Sequence, residues 1–128
     1  MNTMDVEPLR SLAVREYPDI VRATSVAHKN DLRLFLADGS FIKVWFSLRV
    51  AGRYSYHWER RTIDGTIYRH DNAPDREWKS VSTWPKHFHA GSQESVIESH
   101  LDDDPLIALR QFLTFVRGIF NTKQQGNS

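Results

Sequence analysis

Residues 32–46 read LRLFLADGSFIKVWF, and this stretch decides the fold. Apolar residues alternate with other residues on both sides of an Asp-Gly pair, as in two β-strands joined by a tight turn. A two-residue turn would pair Leu34 with Lys43, which places a charge opposite the apolar row. A three-residue loop with Gly39 in the left-handed conformation pairs Leu34 with Ile42 and keeps the apolar residues on one face. The longer loop is therefore predicted.

A second Asp-Gly pair lies in residues 53–72, which read RYSYHWERRTIDGTIYRHDN. A two-residue turn there would set Arg60 against Arg69, and like charges directly opposite one another on neighbouring strands are destabilising. A three-residue loop over residues 63–65 pairs Glu59 with Arg69 instead. We therefore expect the longer loop in this hairpin as well.

The second hairpin is predicted to have two chemically different faces, because successive strand residues point to opposite sides. The same register pairs His57 with Asp71. The polar face is expected to carry His57, Glu59, Arg69 and Asp71. The opposite face is expected to be aromatic and to pack on the core, with Tyr54, Tyr56, Trp58 and Tyr68.

Helices are predicted at both ends of the chain. Residues 7–17 form a short helix that ends at Pro18, and a longer helix begins after Asp104, a good N-cap, with apolar residues at helical spacing behind it. The acidic run at residues 102–104 has the composition of a divalent-cation site, but capping of the proline-started helix is the better account of it.

The remaining extended runs complete the predicted sheet, at residues 20–28 and 66–72, with a short edge strand at residues 96–99. Residues 82–89 are expected to return as an extended strand or as a loop interrupted at Pro85. We predict an α+β fold, namely an antiparallel β-meander of five to seven strands with an N-terminal helix and a longer C-terminal helix packed on the sheet. Residues 1–123 are expected to form one domain, followed by a frayed polar C-terminus at residues 124–128.

Composition restricts the class of protein. The chain has 128 residues, a net charge of +1 and no cysteine, which excludes disulfides and thiolate metal sites and fits a reducing compartment. No apolar run is long enough to span a bilayer and no secretory signal is visible, so we expect a cytoplasmic protein with no membrane partner. Residues 43–86 hold nine Lys or Arg against five Asp or Glu, an excess that favours a polyanion.

The polar face of the second hairpin is the first candidate site. Asp71 opposite His57 fixes an imidazole tautomer, as a general base or acid requires, and the planar fork of Arg69 matches phosphate oxygens. The alternative is a solvated face with ordinary cross-strand ion pairs.

The second candidate site is the stretch TWPKHFH at residues 83–89. In an extended chain His87 and His89 point to the same side, as an acid–base pair or two metal ligands would. A zinc site needs a third ligand, for which His70 and Asp71 are the candidates. His-x-His alone is a weak signal, and surface or core-edge histidines are the favoured account over a metal site, so we assign no metal and no cofactor.

The order of these motifs resembles the TumE family of small proteins, the toxin components of prokaryotic toxin–antitoxin modules. The resemblance rests on residues 54–57 (YSYH), the second Asp-Gly pair, residues 69–74 (RHDNAP) and residues 83–89 (TWPKHFH). The family pattern has Arg-Tyr-Asp-Asn-x-Pro, usually followed by histidines, and then Thr-Phe-Pro-His-His-x-His. This chain departs from that pattern at His70, Trp84 and Lys86 and at the two residues after Pro74.

The resemblance implies a toxin that is held by a cognate antitoxin. The polar residues and the resemblance together lead to the hypothesis that it acts on RNA as an endoribonuclease, by metal-independent acid–base cleavage of the phosphodiester. The expected catalytic residues are His57, Arg69, Asp71, His87 and His89. The expected substrate-binding residues are Tyr54, Tyr56, Asn72, Lys86 and Trp84. In this scheme the histidines are base and acid, Arg69 and Lys86 stabilise charge, a tyrosine orients the phosphate and a tryptophan stacks on a base.

Two other functions fit the same residues. One is a non-enzymatic binding module or inhibitor that acts through a protein or nucleic-acid partner, and the other is a metal-dependent or nucleotide-modifying toxin. The oligomeric state is open, with a homodimer among the options.

Overall fold

The computed structural model describes residues 4–126 of the chain. Along this part of the chain, helices α1 and α2 come first and last, with seven strands and one short 3₁₀ helix between them in sequence. In chain order the elements are α1 (Glu7–Glu16), β1 (Val21–His28), β2 (Asp31–Leu36), β3 (Phe41–Phe46), β4 (Tyr54–Arg60), β5 (Thr66–Asp71), the 3₁₀ helix (Arg76–Trp78), β6 (His87–Gly91), β7 (Val96–Glu98) and α2 (Pro105–Gly126).

The seven strands form one sheet in the order β1 to β7, and every neighbouring pair is antiparallel. Each strand therefore lies beside the strand that precedes it in sequence, which is the arrangement that short connections favour. This confirms the predicted α+β fold, with its meander, its N-terminal helix and its longer C-terminal helix.

The first hairpin has the predicted register. Leu34 lies opposite Ile42, and Leu32 lies opposite Val44. The backbone N–H of Leu36 donates to the carbonyl of Ser40 at 2.9 Å, which closes a three-residue loop. Gly39 has a φ of 90°, a conformation that residues with a Cβ rarely adopt. The apolar row therefore faces the core without interruption.

The predicted register of the second hairpin was wrong by two residues. His57 lies opposite Arg69 rather than Asp71, and the strands end at the pair of Arg60 and Thr66. The loop is longer because the carbonyl of Arg60 accepts the N–H groups of the residues three and four positions later, while its guanidinium binds Asp64 and Asp38. A shift of two residues leaves every side chain on its predicted face.

Helix α2 packs on the aromatic face of the sheet. The ring of Phe112 lies 6.2 Å from that of Tyr56, and the ring of Phe115 lies 5.4 Å from that of Tyr68. The hydroxyl of Tyr17, just after α1, bonds to the carbonyl of Arg110 at 3.1 Å and joins the two helices. These rings pack with the buried Leu, Ile and Val side chains that make up much of the rest of the apolar core.

The start of α2 confirms the predicted cap. The side chain of Asp104 accepts the backbone N–H groups of Leu106 at 2.9 Å and Ile107 at 3.3 Å. The helix extends through Gly126, so residues 124–126 of the predicted polar end are helical, and residues 127–128 lie outside the described residues. Within residues 4–126, neither helix is long and apolar enough to cross a membrane.

Of the two expectations for residues 82–89, an extended strand or a loop interrupted at Pro85, the structure has the loop as far as Lys86, within the connection between β5 and β6. Strand β6 begins only at His87, and residues 72–86 form turns and the 3₁₀ helix. The ring of Trp78 on this connection lies 5.8 Å from that of His89. The connection therefore covers part of the sheet face opposite α2.

Phe112→Ala is expected to lower the free energy of unfolding by about 3–5 kcal/mol, because it opens a cavity between α2 and the sheet. Ile107→Ala is the matched control on the same helix, since Ile107 is 45% exposed, and it should change stability by less than about 0.5 kcal/mol. Urea denaturation measures both values. Equal losses in the two variants would contradict the packing described here.

Candidate functional site

Arg69 is the central residue of the polar face because β5 lies between β4 and β6. Across one side it faces His57 and across the other His89. Its Nε donates to Asp71 Oδ2 at 3.1 Å, its Nη1 lies 3.3 Å from His57 Nδ1, and its Nη2 donates to Gln93 Oε1 at 2.8 Å. A guanidinium has five N–H groups, so these three contacts leave two for a ligand.

Asp71 lies beneath the connection between β5 and β6 and is buried. Its Oδ1 accepts the backbone N–H of Ala73 at 3.0 Å and lies 3.2 Å from His87 Nε2. Its Oδ2 accepts Arg69 and lies 3.7 Å from His89 Nε2. One carboxylate therefore joins the arginine to both histidines.

His87 and His89 are almost completely buried, at 0% and 1% exposure. Their Nδ1 atoms lie 2.7 Å from the carbonyl of Pro85 and 2.9 Å from that of Gln93. Because a carbonyl only accepts, each Nδ1 carries a proton and each Nε2 points at Asp71. Burial lowers the pKa of His89. A large substrate cannot reach either ring in this arrangement.

His57 is the histidine that borders open space. Its Nε2 lies 3.1 Å from Glu59 Oε1, and its Nδ1 faces Arg69. Hydrogen bonds from Arg61 lower the pKa of Glu59 to about 2, so Glu59 is ionised at neutral pH. Burial lowers the pKa of His57, and the charge of Arg69 adds to this while the bond to Glu59 opposes it. The neutral ring with a proton on Nε2 satisfies both contacts.

A depression of about 340 Å³ opens beside His57 on this face. It is lined by Lys43, Trp45, Ser55, His57 and Arg69. Lys43 lies opposite His57 on the neighbouring strand, and its contact with Asp31 is a loose one, at 3.8 Å. The two cations make the depression suitable for an anion.

Three residues that line the depression, and one that supports it, were missed by the sequence analysis. They are Lys43, Trp45, Ser55 and Gln93. Alternation along β3 was the available signal for Lys43 and Trp45, because the predicted first hairpin already placed them opposite the apolar face. Gln93 lies in the turn after β6, and no periodic pattern points to it.

Comparison with protein-family models matches residues 7–120 to the family described as Toxin TumE. The chain belongs to the TumE toxin family. Comparisons with curated proteins and with solved structures give no match. The family match spans both hairpins, the residues of the polar face and most of α2.

Two predicted substrate-binding residues of this TumE-family chain lie in the core instead. Tyr54 and Tyr56 are 7% and 1% exposed and belong to the face covered by α2, with their rings 5.4 Å apart. Burial raises the pKa of Tyr54 to about 12 and also raises that of Tyr56. Strand alternation separates both hydroxyls from the histidines, so neither orients a ligand at the depression.

The other three predicted substrate-binding residues make structural contacts. Asn72 accepts the backbone N–H of Tyr54 at 2.9 Å and donates to a loop carbonyl at 2.8 Å. Lys86 binds the carbonyl of Leu101 and, at 3.2 Å, the carboxylate of Asp103. The indole N–H of Trp84 donates within its own connection at 2.9 Å. These bonds anchor residues 72–86 to the sheet and to the segment before α2.

His70, one of the two candidates for a third metal ligand, is separated from the histidine pair. It lies on the α2 side of the sheet, with its ring stacked 4.1 Å from that of Phe88. Its Nδ1 bonds to the hydroxyl of Ser99 at 2.7 Å. Asp71, the other candidate, is the residue that meets His87 and His89.

The two charged neighbours of His57 are expected to shift its pKa in opposite directions when they are neutralised. Arg69→Gln removes a cation and should raise the pKa of His57, whereas Glu59→Gln removes an anion and should lower it further. Lys43 and Arg61 are the other charges near this ring. Imidazole resonances followed by NMR against pH measure the shifts, with exposed His28 as internal reference. Shifts of the same sign in both variants would refute the described geometry.

Proposed function

We propose that this chain is the toxin of a toxin–antitoxin module and that it cleaves RNA at the depression beside His57. The observation that carries the proposal is the placement of a neutral imidazole between two cations on an open face. Family membership supplies the toxic role. The residues of the depression supply the chemistry that phosphodiester cleavage needs, namely a base and positive charge at the phosphate.

Binding of the RNA backbone uses Arg69 and Lys43. Arg69 has two uncommitted N–H groups for a phosphate, and Lys43 on β3 lies on the other side of His57 from it. No acidic side chain lines the depression. Trp45 offers a ring on which a base can stack, an interaction that every base can make. The depression is therefore suited to single-stranded RNA.

Cleavage in this proposal proceeds without metal chemistry. His57 Nδ1, freed when the phosphate takes over Arg69, removes the proton from the 2′-hydroxyl. The 2′-oxygen attacks phosphorus while the bond to the 5′-oxygen breaks, which leaves a 2′,3′-cyclic phosphate and a 5′-hydroxyl. The departing 5′-oxygen takes its proton from solvent, to which the depression is open, and His57 later releases its proton to solvent.

Asp71, His87 and His89 are positioning residues in this scheme rather than base or acid. Their burial keeps them from RNA, and their connection to the depression runs through the bond from Arg69 Nε to Asp71. This differs from the direct catalytic role expected from the sequence for the two late histidines. They hold the guanidinium at the angle that faces His57.

The partner we propose is a cognate antitoxin that inhibits by covering the depression with an acidic segment. Lys43 and Arg69 would bind its carboxylates, so RNA and antitoxin would compete for the same cations.

His57→Asn is expected to reduce RNA cleavage about 10²- to 10⁴-fold and to abolish toxicity in cells, because the base is lost. Lys43→Ala should weaken RNA binding, and Lys29→Ala, an exposed cation on another turn, is its matched control. Labelled RNA analysed for 2′,3′-cyclic phosphate ends measures cleavage, and circular dichroism verifies folding. Full toxicity of a folded His57→Asn protein would refute the proposed mechanism.

A non-enzymatic role is favoured by one observation, that both ring nitrogens of His57 already have partners in Glu59 and Arg69. An inhibitor that only binds the phosphate groups of RNA would leave both contacts of His57 in place. With RNA in hundredfold excess, an enzyme consumes all of it, whereas an inhibitor protects or retains one equivalent. Salt titration adds a second measure, since Lys43→Ala should reduce the slope of log affinity against log salt by about 0.7 in either case.

A further inference from the structure

Asp71, His87 and His89 place three metal-binding donors around one buried point. One ring nitrogen from each histidine and one carboxylate oxygen of Asp71 all lie within 4.8 Å of one another. We propose that these residues form a zinc site that ties β5 to β6. The site is separate from the open depression, and the inference does not depend on RNA cleavage.

The hydrogen bonds of the two histidines prepare them as metal ligands. Each Nδ1–H donates to a backbone carbonyl, which leaves Nε2 of a neutral ring with its lone pair directed at Asp71. This is the outer-shell arrangement that orients zinc-binding histidines in proteins. Nε2 of His87 is fully buried and has no hydrogen-bond partner among the described residues. A lone pair facing a carboxylate is repulsive unless a cation lies between them.

The distances fit a bound zinc ion. Ligand atoms about 2.0–2.1 Å from a tetrahedral zinc lie about 3.4 Å from one another. His87 Nε2 is 3.2 Å from Asp71 Oδ1, and His89 Nε2 is 3.7 Å from Asp71 Oδ2. The two measured separations lie on either side of the ideal value. Each histidine therefore lies near the ligand-to-ligand distance from one oxygen of Asp71, with His87 facing Oδ1 and His89 facing Oδ2.

One carboxylate faces both imidazoles in this buried space, and it also accepts the charged guanidinium of Arg69. One divalent ion satisfies both rings at once, with the carboxylate lying between it and Arg69.

The donor set indicates which ion binds. Two imidazole nitrogens and one carboxylate oxygen suit zinc and other late first-row metals, whereas magnesium and calcium prefer oxygen ligands alone. Three protein ligands leave one position for water. Because His87 and His89 are buried, this position does not open onto RNA, and we assign the ion a structural role. This replaces the expectation of no metal, which rested on His-x-His without a known third ligand.

The role of the ion is to fix the polar face. Asp71 and the histidines stand at the two ends of the connection formed by residues 72–86, which no regular sheet pairing holds in place. Zinc would clamp its ends together and set Asp71 Oδ2, and through it Arg69. Binding should therefore raise the melting temperature, because the unfolded chain has no preformed site.

The test uses the tag-free, full chain stripped with a chelator and titrated with zinc. We expect one ion per chain by native mass spectrometry and a higher melting temperature on reloading. Asp71→Asn and His89→Gln should each weaken zinc binding by more than the 10- to 100-fold that loss of an outer-shell partner costs. His100→Asn, which alters an exposed histidine, is the matched control and should bind like the wild type.

Cobalt titration of the wild type keeps the test decisive where a variant fails to fold. A four-coordinate site of nitrogen and oxygen ligands gives intense visible absorption that zinc then abolishes. Absence of stoichiometric zinc in the wild type, or an unchanged affinity in folded His89→Gln, would overturn the site. Loss of RNA cleavage in His57→Asn alone leaves zinc binding intact, so failures of the two proposals are distinguishable.

Discussion

Burial of the Asp71 carboxylate beneath the connection between β5 and β6 is the constraint on which the polar face depends. A buried carboxylate is costly unless it is paired, and its pairing recruits Arg69 from its own strand and His87 and His89 from the next. Arg69 in turn contacts His57 at the open depression. The buried group formed by Asp71, His87 and His89 thereby sets the position of Arg69 beside His57.

The two faces of the sheet have different roles, since one packs in the core and the other carries the candidate functional residues. The face under α2 holds the aromatic core, and its side chains, including Tyr54 and Tyr56, make contacts that stabilise the domain. The opposite face carries charged and imidazole groups, partly covered by residues 72–86. A strand supplies both faces from alternate residues, so the same short segment of β4 provides core tyrosines and the half-buried His57 at the depression.

Sequence reasoning about the site succeeded where strand periodicity decides it. Arg69 pairs with His57 and His89, and Asp71, two residues further along the same strand, pairs with His87. Paired residues and residues two apart point to the same side of a sheet, so all five lie on one face. The error of two residues in the second hairpin changed the paired residues but not their faces. It came from the ion pairs of Arg60 with Asp38 and Asp64. The pair with Asp38 joins residues that are distant in sequence, so no local pattern predicts it.

By itself the sequence determined the helix–meander–helix order, the face of each strand residue and the resemblance to the TumE family, because alternation, turn glycines and caps act over a few residues. Only the tertiary structure decided that His87 and His89 are buried and that Lys43 rather than Lys86 accompanies His57. Burial depends on the path of residues 72–86 over the sheet. That path is set by scattered hydrogen bonds, such as those of Asn72 and Trp84, rather than by any repeating pattern of residues.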